Sequence, residues 1–139
     1  MNPTKLVLDA GPLISLFKLK DAEHALCVQA FENFAMTGTR LITPTPIIFE
    51  VYKRLLYDAT RTQAVRALRA MLDSLEVIYL NDMDLIELEN TVNSMPRWNG
   101  SLEDAAVALT TMQQDVPIWT FNYRDLAAFP DLEFWTPSA

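Results

Sequence analysis

The segment KLVLDAGPLISLF, residues 5–17, joins an aliphatic run to an apolar helical pattern through one carboxylate, Asp9. The aliphatic run predicts a buried strand, and the spacing of apolar residues after it predicts a helix. A carboxylate between the two is either partly buried or directed into a crevice, and a buried carboxylate needs a partner. The segment therefore predicts the first strand–helix unit of an α/β fold, with Asp9 as a candidate site residue.

The rest of the chain repeats this alternation. We predict strands at 5–8, 41–43, 76–80, 116–120 and 133–135, and helices at 11–19, 22–36, 46–58, 61–73, 82–93 and from Ser101 onward. Strands separated by helices predict a three-layer α/β/α domain with a mainly parallel sheet of about five strands. At 139 residues, half of them apolar, residues 1–139 are expected to form one domain.

The charge and hydropathy of the sequence indicate where the protein is located in the cell and whether it binds nucleic acid. With no apolar run long enough for a membrane span and no signal-peptide pattern, we expect a cytoplasmic protein. The net charge of −7 argues against nucleic-acid binding, yet five of the 11 basic residues lie between positions 53 and 69, where Asp58 is the one acid. This stretch is either a basic face or a solvated helix surface with intrahelical ion pairs.

Three further segments carry acids or an amide. They are TPTPIIFEVYKRLL (43–56) with Glu50, SLEDAAVALTTM (101–112) with Asp104, and WTFNYRDL (119–126) with Asn122 and Asp125. Ligand sites in open parallel sheets form at the carboxyl ends of strands, so Asp9 and Asn122 are predicted at the same edge. Clustered carboxylates repel each other unless a cation lies between them. We therefore predict a divalent-metal site, and oxygen-only ligands favour Mg²⁺ or Mn²⁺.

Two of these acids, Glu50 and Asp104, also have a structural interpretation. Glu50 and Asp104 are predicted in the first turns of helices, where a negative charge is favourable. Asp104 stands three residues after Ser101, which is capping-box spacing. Cys27 is expected to be a buried core side chain and His24 a helix-surface residue, since a zinc site needs several such ligands.

Taken in order, the four segments resemble a PIN domain, particularly the VapC-type toxin ribonucleases of bacterial toxin–antitoxin pairs, over essentially the entire chain. The resemblance implies metal ligands at Asp9, Glu50, Asp104 and Asn122, and the same residues together with Asp125 as the catalytic set. It also implies a supporting role for Thr120. The chain departs from the family at Asn122, which brings no charge, and at Ala10 and Gly11, where many relatives have a hydroxyl residue and Asn.

The resemblance implies hydrolysis of RNA with Mg²⁺ or Mn²⁺, a homodimer, and an inhibitory antitoxin partner. Candidate contacts to the RNA backbone are Lys53, Arg54 and Arg97. Trp98 and Tyr123 are candidates for stacking on bases. For Trp98 the alternative is an anchor that closes its loop. The surface around residues 55–57 is core, a dimer surface or an antitoxin groove.

Alternative functions make different demands on the sequence. A phosphotransfer receiver domain needs an early acidic pair and a lysine after the last core strand, and the segments VLDAG and PIWTFN supply neither. A haloacid-dehalogenase-like phosphatase needs a second acid two residues after its nucleophile, where this chain has Gly11. The remaining alternative is a catalytically silent PIN-like domain that binds RNA or protein, for which Asn122 is the best argument.

Overall fold

The computed structural model describes residues 2–138, which alternate between strands and helices. The strands are β1 (Lys5–Leu8), β2 (Arg40–Pro44), β3 (Glu76–Ile78) and β4 (Ile118–Trp119). The helices are α1 (Ala10–Phe17), α2 (His24–Thr37), α3 (Thr45–Asp58), α4 (Arg61–Ser74), α5 (Asp82–Asn93), α6 (Leu102–Gln114) and α7 (Tyr123–Leu126). None of the helices in this range is both long and apolar enough to cross a bilayer.

The sheet has the strand order β3-β2-β1-β4, and each neighbouring pair is parallel. In the described range it has four strands rather than the expected five or so, because the segment 133–135 forms only an isolated bridge between Phe134 and Ile118. Two backbone hydrogen bonds flank that bridge, Ile118 N to Glu133 O at 2.9 Å and Trp135 N to Ile118 O at 2.8 Å. Since β4 has only two residues, it offers too short an edge for a longer ladder.

Local capping explains most helix boundaries. The Thr60 hydroxyl accepts from Gln63 N and starts α4, as the sequence predicts. Helix α2 ends at Gly38, whose φ of 70° is the left-handed conformation that glycine adopts without strain. Helix α2 begins at His24 rather than at residue 22 as predicted, because the Asp21 carboxylate accepts from the N–H of Glu23 in a turn that precedes the helix.

The core lies between the sheet and the helices that flank it. Strand β1 contributes three completely buried side chains, Leu6, Val7 and Leu8, and Trp119 of β4 packs edge-to-face against Phe34. Cys27 is fully buried, and burial raises the pKa of its thiol to about 12, so it is a core side chain as predicted. This packing fixes where β1 and β4 end, and both ends lie at one edge of the sheet.

Candidate active site

The pairing of β1 with β4 brings the first and last sequence segments together. Leu8 is the register partner of Trp119, so the residues that follow them are neighbours. The Thr120 hydroxyl donates to Asp9 Oδ2 at 2.7 Å, and Ala10 N donates to Asp9 Oδ1 at 2.8 Å. Asp9 is 4% exposed and caps α1. The buried carboxylate therefore has a partner on each oxygen, as its position requires.

Asp104 forms the cap that its spacing from Ser101 predicted, and it also contacts Asn122, another predicted site residue. Its Oδ2 accepts from Ser101 N at 2.9 Å, and Ser101 Oγ accepts from Asp104 N at 3.1 Å, which completes a capping box at the start of α6. Its other oxygen, Oδ1, accepts from the side-chain amide of Asn122 at 3.2 Å. The cap fixes the orientation of the carboxylate, and one oxygen is left facing the other site residues.

Asn122 links two of the acids through its amide nitrogen. Nδ2 donates to Asp104 Oδ1 and also to Asp125 Oδ2, the second at 3.0 Å. Its carbonyl oxygen faces the backbone N–H of Asp125 at 3.4 Å, and its own backbone N–H donates to Thr120 Oγ1. In this arrangement the side chain presents donors to the carboxylates, so coordination of a metal through Oδ1 would require the amide to turn.

Glu50 lies in the second turn of α3 rather than in the first, because the helix begins at Thr45. Its pKa is raised to about 7, mainly by burial and then by the charges of Asp9, Glu103 and Asp104. Among residues 2–138, no hydrogen bond to the Glu50 side chain offsets this cost. Glu50 is therefore a partly buried acid whose ionisation is opposed by its neighbours.

Burial also raises the pKa of Asp9 above its usual range, and the charge of Asp104 adds to this effect. The hydrogen bonds from Thr120 and Ala10 oppose it, since they favour the ionised form. The negative charges of Asp9, Glu103 and Asp104 likewise oppose the ionisation of Glu50. Such repulsion is the electrostatic condition that a bound cation relieves.

A cavity of about 460 Å³ joins these residues. It is lined by all five predicted catalytic residues, Asp9, Glu50, Asp104, Asn122 and Asp125. Two arginine side chains also border the cavity: Arg54, which is paired with Asp58 at 3.2 Å, and Arg124. The structure thus brings the five side chains to one site, although they come from segments spread along the whole chain.

The side chains that line the acid cavity are of the types that bind a hard divalent cation. The cavity acids and amide offer only oxygen ligands, which Mg²⁺ and Mn²⁺ prefer. Within residues 2–138, however, no three His, Cys, Asp or Glu side chains are already arranged around one point as metal ligands. The residues fit the ion by type and charge, and their side chains would have to converge further to enclose it.

Of the three predicted contacts to the RNA backbone, only Arg54 borders the acid cavity. Lys53 does not border the acid cavity but an adjoining one of about 570 Å³, which Phe49, Tyr79 and Arg54 also line. Arg97 is exposed and borders neither cavity. Arg54 forms an intrahelical ion pair with Asp58, as expected for a solvated helix surface, and it also borders the acid cavity.

Trp98 has the contacts of a loop anchor. Its Nε1 donates to the backbone oxygen of Asp125 at 2.9 Å, and its ring packs edge-to-face against Phe129 at 5.5 Å. His24 lies outside the acid cavity, with Nδ1 3.0 Å from the Ser15 carbonyl oxygen. Sequence reasoning did not single out Phe121, which lines the cavity, although its place between Thr120 and Asn122 was a signal for it.

Comparison with solved structures identifies the fold. VapC20 from Mycobacterium tuberculosis, a toxin that cleaves the sarcin–ricin loop, matches with a TM-score of 0.78 at 15% identity, over 89% of this chain and 95% of that one. VapBC2 from Rickettsia felis, bound to a promoter DNA fragment, gives 0.69 at 15% identity over 95% and 99%. A toxin–antitoxin complex from Klebsiella pneumoniae gives 0.62 at 20% identity over 92% and 95%.

These likenesses show that the chain has the α/β fold of the VapC-type PIN domains, with a parallel sheet flanked by helices. The expected fold class is therefore confirmed, apart from the number of strands. The comparison of the sequence with protein-family models and with curated proteins gives no match.

Proposed function

We propose that this protein is a divalent-metal-dependent endoribonuclease that acts in the cytoplasm as the toxin of a toxin–antitoxin pair. The observation that carries the proposal is the convergence of Asp9, Glu50, Asp104 and Asp125, with Asn122, on one cavity at the carboxyl edge of the sheet. The fold supports it, because structures that share this fold include a toxin that cleaves RNA of the sarcin–ricin loop.

In this proposal Asp9, Glu50 and Asp104 hold the cation, Mg²⁺ or Mn²⁺, with Asn122 as a further oxygen ligand. A bound divalent cation would supply charge neutralisation at the phosphate and a lower pKa for water. Thr120 orients Asp9 through its 2.7 Å hydrogen bond.

The remaining polar groups have roles around the substrate. Asp125, which accepts from the Asn122 amide, positions the attacking water. Arg54 and Arg124 border the same cavity and contribute positive charge where the RNA phosphate would lie. Lys53, in the adjoining cavity, extends that positive charge along α3, and Arg97 remains a candidate contact farther away.

We propose an antitoxin as the protein partner and a homodimer as the assembly. Solved structures with this fold include toxin–antitoxin complexes. Exposed apolar side chains on and beside α3 and α5, among them Phe49, Tyr79 and Leu85, provide surface for such contacts. Light scattering coupled to size-exclusion chromatography tests the homodimer directly, and a strictly monomeric protein would contradict it.

The second candidate is a catalytically silent PIN-like domain that binds RNA or protein. One observation favours it: the Asn122 amide bridges Asp104 and Asp125 by hydrogen bonds, so these two acids are held together without a cation. A silent domain would keep this arrangement whether or not metal is present.

Cleavage of fluorescent single-stranded and structured RNA, with Mg²⁺, Mn²⁺ or EDTA, distinguishes the two functions. Asp104→Asn should abolish metal-dependent cleavage while the protein stays folded. Asp84→Asn is a matched control, because Asp84 forms the same kind of capping box with Asn81 at the start of α5 and does not line the cavity. Equal cleavage by both variants, or cleavage that persists in EDTA, would contradict the proposed site.

A further inference from the structure

Two aromatic side chains form a surface beside the acid cavity, which we call the aromatic ledge: Phe121 and Tyr123. Each is 41% exposed, although both belong to the segment that supplies Thr120, Asn122 and Asp125. Phe121 lines the acid cavity and also an adjoining cavity of about 480 Å³, and Tyr123 lines the second of these. The ledge is therefore continuous with the proposed site of cleavage.

Neighbouring residues hold both rings in place. A Cβ added at Gly11 would lie 2.9 Å from Phe121 Cδ2, so the ring packs directly on the first turn of α1. Phe121 also packs edge-to-face on Trp119, with ring centroids 6.0 Å apart, and Tyr123 packs on Phe134 at 5.2 Å. Because the rings are already ordered, a ligand that stacks on them loses little binding free energy in ordering the protein.

The charges around the ledge favour a nucleotide as its occupant. Arg124 directly follows Tyr123 in sequence and borders the acid cavity. Its side chain is 90% exposed, with Nε 3.6 Å from Asp125 Oδ1. A guanidinium there can contact a phosphate, while aromatic rings stack on any base. Glu23 also borders the second cavity, and its carboxylate is of a type that can accept from a base N–H. A base within a duplex is already stacked on its neighbours, so only an unpaired base can use the ledge.

We propose that Phe121 and Tyr123 form a stacking subsite for an unpaired base next to the cleaved phosphate, which directs the enzyme to single-stranded segments of RNA. This inference rests on the proposed ribonuclease function and adds the substrate class to it. The ledge holds the base while Arg124 contacts the backbone, and the acids then act on the adjacent phosphodiester.

Binding to a short fluorescein-labelled RNA, either single-stranded or annealed to its complement, tests the subsite by anisotropy in EDTA. Phe121→Leu keeps an apolar side chain but removes the ring, and it should weaken single-strand binding about tenfold, which is the loss expected for one stacked base. Tyr123→Leu should weaken it in the same direction, and Phe121→Trp should retain the affinity. Neither leucine variant should change duplex binding.

Tyr57→Leu is the matched control for Tyr123→Leu, because Tyr57 is an exposed tyrosine on α3 that lines neither cavity. Circular dichroism melting confirms that each variant is folded. If the wild type cleaves RNA but Phe121→Leu binds single strands as tightly as the wild type, the subsite is refuted and the proposed function stands. If the wild type neither binds nor cleaves single-stranded RNA, both fail. Equal losses for single strands and duplex would refute base stacking.

Discussion

The hydroxyl of Thr120 donates a 2.7 Å hydrogen bond to Oδ2 of Asp9, across 111 positions of sequence. The hydroxyl oxygen of Thr120 also accepts from the backbone N–H of Asn122 at 2.9 Å. One small side chain therefore fixes the orientation of Asp9 and the path of the backbone toward the other acids. Because all of Thr120 is buried, water cannot replace these bonds without opening the site.

Thr120→Val should lower the free energy of unfolding by about 1–3 kcal/mol, since it removes a buried donor from a carboxylate and an acceptor from Asn122 N. Thr120→Ser keeps the hydroxyl and should retain more of that stability. Urea unfolding near neutral pH measures both values. Equal stabilities for the two variants would mean that the hydroxyl contributes little.

Glu50 should make the stability of the metal-free protein depend on pH. Its pKa is raised from 4.5 in a model peptide to about 7 in the fold, so the folded state binds the proton more tightly than the unfolded chain. Stability from this group is complete below about pH 4.5 and is lost as the pH rises through about 7.

Glu50→Gln removes that dependence. At pH 8 in EDTA the variant should be more stable than the wild type by about 1 kcal/mol, a value reduced for solvent screening, and at pH 4 the two should match. Urea unfolding at the two pH values measures the difference. The same difference in unfolding free energy at pH 4 and at pH 8 would show that packing, not charge, makes the two proteins differ in stability.

A divalent cation should stabilise the fold, because it binds a site that exists only in the folded chain. Mn²⁺ at a hundred times its Kd would add about 2.7 kcal/mol to the free energy of unfolding. The gain in Tm over EDTA should be larger at pH 8 than at pH 5.5, since protons compete for Glu50 and Asp9, whose pKa values are raised. No gain at either pH would contradict a metal site.

Asn122→Asp removes the two hydrogen bonds that the amide donates and adds a negative charge. Without metal the variant should be less stable by about 1–3 kcal/mol, because Asp104 and Asp125 lose their shared donor and face a further carboxylate. With saturating Mn²⁺ the gain in Tm should exceed that of the wild type. Asn90→Asp, at an exposed position of α5, is the control for added charge alone. A smaller gain for Asn122→Asp than for the wild type would refute this account.

Much of the fold could be predicted because its signals are local. Helix α5 runs from Asp82 to Asn93, as the sequence predicted, and the first strand runs from Lys5 to Leu8. The conformation of the segment 133–135 was harder to predict, because a short apolar run becomes a strand only if the neighbouring strand is long enough to pair with it. Here that edge is β4, with two residues.

The site, too, has features that the sequence could predict and features that it could not. That the acids meet at the edge of the sheet follows from the rule for parallel strands together with the family pattern. The capping role of Asp104 could be predicted from its spacing, but its hydrogen bond with Asn122 could not, because the sequence does not show that its two oxygens have different partners. The contact of Gly11 with the ring of Phe121 joins residues from opposite ends of the chain, and no local pattern encodes it.

The order of the strands in the sheet has a consequence for how the protein is made. Asp9 directly follows β1, the first strand of the sheet in the sequence. Its partner Thr120 follows the last of the four strands, β4, which pairs with β1. When the first hundred residues have left the ribosome, Asp104, Asn122 and Asp125 have not yet emerged from it. Synthesis alone thus delays the assembly of the site until Asp125 has emerged.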